Sequence, residues 1–255
     1  AQNVLSPMVL FFVLGLGAAL ARSDLTIPEA VAKAMALYLM MSIGFKGGAG
    51  MASHGLDWAV ASVIGAGIVL SFVIPLVAFG WITVLTRLPR TDRAAVSAHY
   101  GSISIVTFVA GTQALSSQGL AFEGYLVAVA AVMETPAIIT ALWLARSGAK
   151  DDGGIKGAGR MDSHLLREIL LNGSVVMLVG AFAIGWITGA DGMERIKPFI
   201  VDPFQGVLCL FLLDMGLVAG RGLRDGGKVI NARLVVFGVT MPVIAAAMAA
   251  VAALP

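Results

Sequence analysis

The sequence HYGSISIVTF, residues 99–108, places two polar ring side chains, a glycine and three Ser or Thr hydroxyls inside an otherwise apolar stretch. Glycine is a weak helix former, and Ser102 and Ser104 can both cap a helix. We therefore predict a break near residues 100–103, followed by the N-terminus of a second half-helix. Its free N–H groups and positive dipole end would attract an anion. The candidate anion-binding residues are Gly101, Ser102, Ser104 and Thr107.

The same hydroxyls have a structural alternative. They could bond back to the preceding helical turn, or they could join neighbouring helices. For a single Ser or Thr this alternative is favoured, whereas the whole cluster favours the anion site. His99 and Tyr100 could line the same pathway or lie at an interface between helices.

Four further residues could provide oxygen ligands to a small cation. These ion-coupling candidates are Thr112, Gln113, Glu134 and Asp214. Glu134 precedes Pro136, whose ring frees a backbone carbonyl in a helix. Glu134 and Asp214 are ionisable residues in apolar stretches, which marks both as functional candidates. Lys46 could pair with either carboxylate, in which case their role is structural.

The sequence offers little for catalysis. Cys209 is the only cysteine, the three histidines show no ligand spacing, and no zinc-protease, phosphate-loop or serine-hydrolase motif is found. His99 and Ser104 could serve as base and nucleophile, but their five-residue spacing does not place them on one helix face. No oxyanion-binding or acidic orienting group accompanies them. We predict that the protein is not an enzyme, needs no cofactor and binds no nucleic acid.

Composition sets the class of protein around these residues. Hydrophobic residues make up 58% of the 255, charged residues only 13%, and the mean hydropathy is +0.92. Soluble domains carry about 25% charged residues, so we predict an all-α integral membrane protein. A helix needs about 20 apolar residues to cross the hydrocarbon core. Eight stretches meet or approach this length: 7–21, 28–45, 58–82, 94–116, 124–145, 170–188, 203–220 and 232–254.

Lysine and arginine predict the orientation of these spans. If the N-terminus lies outside, three of the 17 basic residues (Lys46, Arg195 and Lys197) lie outside and the other 14 lie inside. Basic residues accumulate on the cytoplasmic side. We therefore predict a membrane protein with an external N-terminus, and we expect it in a bacterial inner membrane. The glycine-rich, charged segment 146–168 is then a cytoplasmic loop.

Two similar segments predict an internal repeat. LMMSIGFKGG (39–48) and FLLDMGLVAG (211–220) align with a constant offset, which pairs Gly44 with Gly216 and Gly48 with Gly220. Five spans per half would give the halves opposite orientations, as in many secondary transporters. The alternative is that these glycines only allow close helix packing. The predicted divisions are a first repeat (1–145), the loop (146–168) and a second repeat (169–255), whose last two spans are expected beyond Pro255.

Three motifs carry a resemblance to a known family. LYLMMSIGFKGG, SAHYGSISIVTF and FLLDMGLVAG resemble sodium-dependent bicarbonate transporters of the SbtA type. The resemblance runs from about residue 7 to the C-terminal end, and the segment 97–108 is its most specific part. It implies ten helices in two inverted five-helix repeats, of which eight are in this chain. It also implies a core domain, a gate domain and a homotrimer.

The resemblance also implies a function. Bicarbonate would be held where two interrupted helices meet, with Gly101, Ser102, Ser104 and Thr107 on the first of them, and sodium would be the coupling ion and the only metal. A PII-like regulatory protein could bind the cytoplasmic face. A cation–proton antiporter or organic-anion carrier on a related scaffold stays open as an alternative, because it would depend on a titrating Glu134 or Asp214.

Overall fold

The protein is described here by a computed structural model, which covers residues 6–55, 57–104, 107–108, 111–112, 115, 118–120, 122–146, 171, 173–227 and 230–253. Within these ranges the chain forms eight α-helices and no β-strand, which confirms the predicted all-α class. In chain order they are α1 (Pro7–Leu20), α2 (Glu29–His54), α3 (Trp58–Leu85), α4 (Arg90–Ala98), α5 (Leu126–Arg146), α6 (Gly173–Ile200), α7 (Phe204–Gly226) and α8 (Ala232–Ala252).

Five of the described helices are long and apolar enough to cross a membrane: α3, α5, α6, α7 and α8. The other three helices were also predicted to be spans, but they are too short or not apolar enough. α1 is apolar but has only 14 residues, and α4 has nine. α2 has 26 residues but is less apolar, since it carries Lys33 and Lys46. On α8, large apolar side chains stay exposed at Val239, Val243 and Val251, as expected of a surface in contact with lipid.

Local sequence signals set several helix starts. α1 begins at Pro7, whose fixed φ suits the first helical position. The Asp57 side chain accepts a hydrogen bond of 2.8 Å from the Val60 N–H and caps α3. The Asn231 side chain accepts a hydrogen bond of 3.1 Å from the Leu234 N–H and caps α8. The predicted starts of these three spans are therefore confirmed.

α6 contains a break. Gly189 has φ 56° and ψ −143°, a backbone conformation that glycine adopts without the steric cost of a side chain. The break lies directly after the predicted end of the sixth span at residue 188. The helical residues that follow, up to Ile200, extend beyond that prediction.

The chain groups into two compact units. The first consists of Ala1–His54, Ile105–Gly124 and Met177–Ile230, and the second of Gly55–Ser104, Tyr125–Val176 and Asn231–Pro255. The first unit therefore holds α1, α2, α7 and most of α6, and the second holds α3, α4, α5 and α8. The predicted boundaries at 1–145, 146–168 and 169–255 stay a prediction, and residues 147–170 lie outside the described part of the chain.

In the first unit, glycines bring helix backbones into contact. A β-carbon on Gly44 would lie 2.6 Å from the Leu178 carbonyl oxygen, and one on Gly48 would lie 2.7 Å from the Trp186 backbone nitrogen. These two residues therefore pack directly on α6. The contacts advance together along both chains, so α2 and α6 run parallel.

The helices α1 and α7 make the corresponding contact. A β-carbon on Gly216 would overlap the Phe12 carbonyl oxygen, and one on Gly220 would lie 2.6 Å from the Ala19 β-carbon. This pair also runs parallel, because both contacts move towards the C-terminal ends. Side chains at these glycines would force the backbones apart.

The second unit has its core around α3. Ile74, Ala78 and Ile82 of this helix are buried against Phe237 and Met241 of α8. The Trp81 indole N–H donates a hydrogen bond of 2.9 Å to the Thr240 hydroxyl, which joins the same two helices.

On its other side α3 packs on α5. Gly67 approaches the Val129 side chain, and the Ser71 hydroxyl donates a hydrogen bond to the Met133 carbonyl oxygen. The order of these contacts makes α3 and α5 parallel.

Replacing Gly216 by Ala is expected to lower the thermal stability of the protein. The new methyl group would meet backbone atoms of Phe12 and Leu16, which cannot rotate away, at a cost of about 1–3 kcal/mol. Gly222→Ala on the same helix is the matched control, because no atom lies within 4 Å of its β-carbon position. A melting temperature in fixed detergent measures both variants, and equal values for the two would contradict this packing.

Candidate functional site

The predicted helix break is found in the polar run. α4 ends at Ala98, and residues 99–104 are not helical. The N–H groups of Tyr100 and Gly101 close the helix with bonds of 3.2 Å and 3.1 Å to the Ser97 and Ala98 carbonyl oxygens. Helical conformation returns at the described residues 107–108, 111–112 and 115. The predicted continuous span 94–116 is therefore divided, at the position where a break is expected.

Gly101 lies in the non-helical segment and packs against two neighbouring helices. A β-carbon there would overlap Pro75 of α3 and would lie 2.8 Å from the Ala137 β-carbon of α5. It would also lie 2.9 Å from the Ser71 carbonyl oxygen. That carbonyl has lost its helical partner, because Pro75 has no N–H to donate. The glycine backbone therefore fits where any side chain would collide.

Sequence reasoning missed the polar groups that surround the two prolines. Ser71, fully buried, donates from α3 to the Met133 carbonyl oxygen, three residues before Pro136 in α5. The Thr140 hydroxyl donates a bond of 2.9 Å to the Pro136 carbonyl oxygen. The spacing of Ser71 four residues before Pro75 is the signal that could have identified it, because a proline releases the carbonyl at that position.

The candidate anion-binding hydroxyls differ in exposure. Ser102 is half-buried, whereas Ser104 and Thr107 are exposed. Gly101, Ser102 and Ser104 belong to the second compact unit, and Thr107 belongs to the first. Their assignment to an anion stays a prediction.

The first two ion-coupling candidates follow this segment. Thr112 is helical and half-buried in the first unit. Gln113 lies outside the described residues.

His99 and Tyr100 have local packing roles. The His99 Nδ1 lies 2.8 Å from the Ala95 carbonyl oxygen, to which an Nδ1–H group donates, one turn back in α4. The Tyr100 ring makes an edge-to-face contact with Phe237 of α8, with centroids 5.4 Å apart. The Tyr100 contact favours the interpretation that this residue lies at a helix interface, whereas the His99 bond lies within its own helix.

The two carboxylate candidates lie in different units. Glu134 is half-buried on α5, and Asp214 is 6% exposed on α7. Within the described residues neither carboxylate forms an ion pair. The alternative in which Lys46 pairs with one of them is therefore not found in the described residues: the Lys46 ammonium lies 4.3 Å from the centroid of the Phe204 ring, a cation–π contact.

Ser42 is a second residue that sequence reasoning did not assign. It is fully buried on α2, and its hydroxyl oxygen has no hydrogen-bond partner within the described part of the chain. An unsatisfied buried polar group costs about 1–3 kcal/mol, which makes Ser42 a candidate for a functional role. When the two glycine segments are aligned, Ser42 falls opposite Asp214. This alignment is the sequence signal that could have identified Ser42.

Gly101→Ala is expected to disturb the break and lower the melting temperature. Pro75 and the Ser71 backbone leave no room for the methyl group, so a loss of about 1–3 kcal/mol is expected. Gly80→Ala on α3 is the control, since its β-carbon position is open and alanine favours the helix. A Gly101→Ala protein that melts like the Gly80→Ala protein would refute this packing.

The chain was compared with known proteins. The family model described as the Na+-dependent bicarbonate transporter superfamily matches residues 7–254. No curated protein matches the chain. The matched residues include the polar run, the interrupted helix and both glycine motifs, so the chain belongs to the Na+-dependent bicarbonate transporter superfamily.

Proposed function

We propose that this protein is a secondary active transporter that couples the uptake of bicarbonate to the entry of sodium by alternating access. The observation that carries the proposal is the helix interrupted at residues 99–104, in a chain of a bicarbonate transporter family. Substrate sites of secondary transporters are commonly built from such discontinuous helices. Transport needs no catalytic residue and no cofactor besides the coupling ion.

Bicarbonate binds, in this proposal, to the segment after the break. The substrate-binding residues are Gly101, Ser102, Ser104 and Thr107. Bicarbonate is a small monoanion with several acceptor oxygens, and the hydroxyls together with backbone N–H groups of this segment would donate to it. These donors carry no full charge, so they would bind the anion without holding it too tightly for release. The tight packing of Gly101 on Pro75 supports a fixed position for the break.

Sodium binds through carboxylate and neutral oxygens. The proposed ion-coupling residues are Thr112, Gln113, Glu134 and Asp214. Asp214 supports this most directly, because it is a buried carboxylate without an ion pair within the described residues. A buried charge is costly unless a partner compensates for it, and a bound cation would provide that compensation.

The contacts of the glycine motifs support two inverted repeats. Gly48 of α2 packs on α6, and Gly220 of α7 packs on α1. If α6, α7 and α8 repeat α1, α2 and α3, the second helix of each half packs on the first helix of the other half. The two contacts are then equivalent. The compact units agree with this pairing, since α1 and α2 group with α6 and α7, while α3 groups with α8. Such an arrangement supports a division into core and gate domains.

The parallel helix pairs support the proposed topology. α1 packs parallel to α7, α2 to α6, and α3 to α5. If successive spans alternate in direction across the membrane, two spans an even number apart run in the same direction. Each of these pairs meets that condition. α6 then runs opposite to α1, as an inverted repeat requires. The N-terminus is outside, and the loop 146–168 is cytoplasmic, in a bacterial inner membrane.

Two partners complete the proposal and rest on family resemblance. The protein assembles as a homotrimer, and a PII-like regulatory protein binds its cytoplasmic face. Both would support inorganic carbon uptake.

Vesicles that contain the protein are expected to take up labelled bicarbonate only when a sodium gradient is present, because the anion and the cation bind together. The measurement compares uptake with inward sodium against equal potassium. Equal bicarbonate uptake with sodium and with potassium would contradict sodium coupling. Absence of uptake would contradict bicarbonate as the substrate. Exchange that follows pH and is lost in Glu134→Gln would favour a cation–proton antiporter.

Ser104→Ala is expected to raise the bicarbonate KM about ten- to a hundred-fold. A hydrogen bond to a charged group contributes about 1.5–3 kcal/mol, and each 1.4 kcal/mol is tenfold in affinity. Folding should be nearly unaffected, since the Ser104 side chain is exposed and surface substitutions usually change stability by less than about 0.5 kcal/mol. Ser62→Ala is the control, because this exposed hydroxyl of α3 donates only within its own helix. An unchanged KM in Ser104→Ala would exclude this residue from the anion site.

A further inference from the structure

Three arginines follow one another closely where α3 passes into α4. The segment TRLPRTDR, residues 86–93, contains Arg87, Arg90 and Arg93. Arg87 is exposed, and the other two are half-buried. The proposed transport function uses none of them.

Two of these arginines are held in place by aromatic and backbone contacts. The guanidinium carbons of Arg90 and Arg93 lie 5.2 Å and 5.4 Å from the centroid of the Phe79 ring. The Arg90 Nε–H also donates a hydrogen bond of 2.8 Å to the Leu144 carbonyl oxygen, in the last turn of α5. Guanidinium groups stack well on aromatic rings. The two positive charges are therefore ordered on one ring before any ligand arrives.

The charge of Arg93 is not compensated within the described residues. It forms no ion pair there, and its Nε atom is buried without a hydrogen-bond acceptor. Asp92 is adjacent in sequence but exposed, and it forms no ion pair in the described part of the chain. A bound anion would compensate the charge of Arg93 and accept from its N–H groups.

The surrounding residues indicate what kind of anion binds. Trp143 is 60% exposed and precedes Leu144, the residue whose carbonyl oxygen accepts from Arg90. Val84 is 77% exposed at the end of α3, two residues before the arginine segment begins. Tryptophan is enriched at the membrane–water interface, and clustered arginines beside a membrane helix attract anionic headgroups. Exposed apolar and basic side chains thus meet at one end of the second unit.

We propose that Arg87, Arg90 and Arg93 bind the phosphate group of an anionic phospholipid. Arginine presents a planar fork of N–H donors that matches phosphate oxygens. The acyl chains of the same lipid would contact the exposed apolar surface of α3 and α5. With the proposed topology, this lipid lies in the leaflet that faces the cytoplasm.

The test uses the purified protein in neutral detergent, with phosphatidylglycerol or phosphatidylcholine added at equal concentration. Phosphatidylglycerol is expected to raise the melting temperature more than phosphatidylcholine does. Arg93→Gln should lose at least half of that difference, and Arg87→Gln, an exposed position that tolerates substitution, should lose part of it. Arg195→Gln should retain the difference in full, because this variant removes an exposed arginine of α6 in the first unit.

Three outcomes would overturn the proposal. Equal effects of the two lipids would exclude an anionic headgroup site, and a full phosphatidylglycerol effect in Arg93→Gln and Arg87→Gln would exclude these residues. Inorganic phosphate that reproduces the effect of phosphatidylglycerol would identify a free anion as the ligand in place of a lipid. The readout depends on neither bicarbonate nor sodium, so it fails or succeeds independently of the proposed transport function.

Discussion

Direct contact between helix backbones is the interaction on which the rest of this structure depends. Within a bilayer, apolar side chains gain little by leaving lipid for protein, so helices associate mainly through close packing and hydrogen bonds. Gly48 and Gly216 allow that packing, because each meets backbone atoms of the opposing helix with no side chain between. The contacts also determine which helices are neighbours and in which direction they run.

The interrupted helix follows from a second constraint, the need to satisfy backbone polar groups away from water. Pro75 releases the Ser71 carbonyl oxygen, and the Gly101 backbone packs closely against it. The hydroxyl of the same Ser71 donates to α5 near Pro136. Gly101, the buried residue of the irregular segment, is thus packed against protein on both sides.

Positively and negatively charged side chains have different surroundings in the described part of the chain. Lys46 lies on the Phe204 ring, and Arg90 and Arg93 lie on the Phe79 ring, so aromatic faces hold cations without carboxylates. Asp214 is nearly fully buried and forms no ion pair there, and the buried Ser42 hydroxyl likewise has no hydrogen-bond partner there. Of these two groups, Asp214 is the one that the proposed function assigns to the coupling cation.

The sequence alone determined the class of protein, most helix positions, the break near Gly101 and the family, because hydropathy, caps, glycine and a distinctive motif are local properties. Gln113 and the loop 146–168 keep only their sequence-based interpretation. Tertiary structure decided that Lys46 contacts Phe204 and not a carboxylate, that Ser71 supports α5, and that Arg93 shares a ring with Arg90. Such contacts join residues far apart in the chain or on different helices, and they depend on helix approach and rotation, which no single segment encodes.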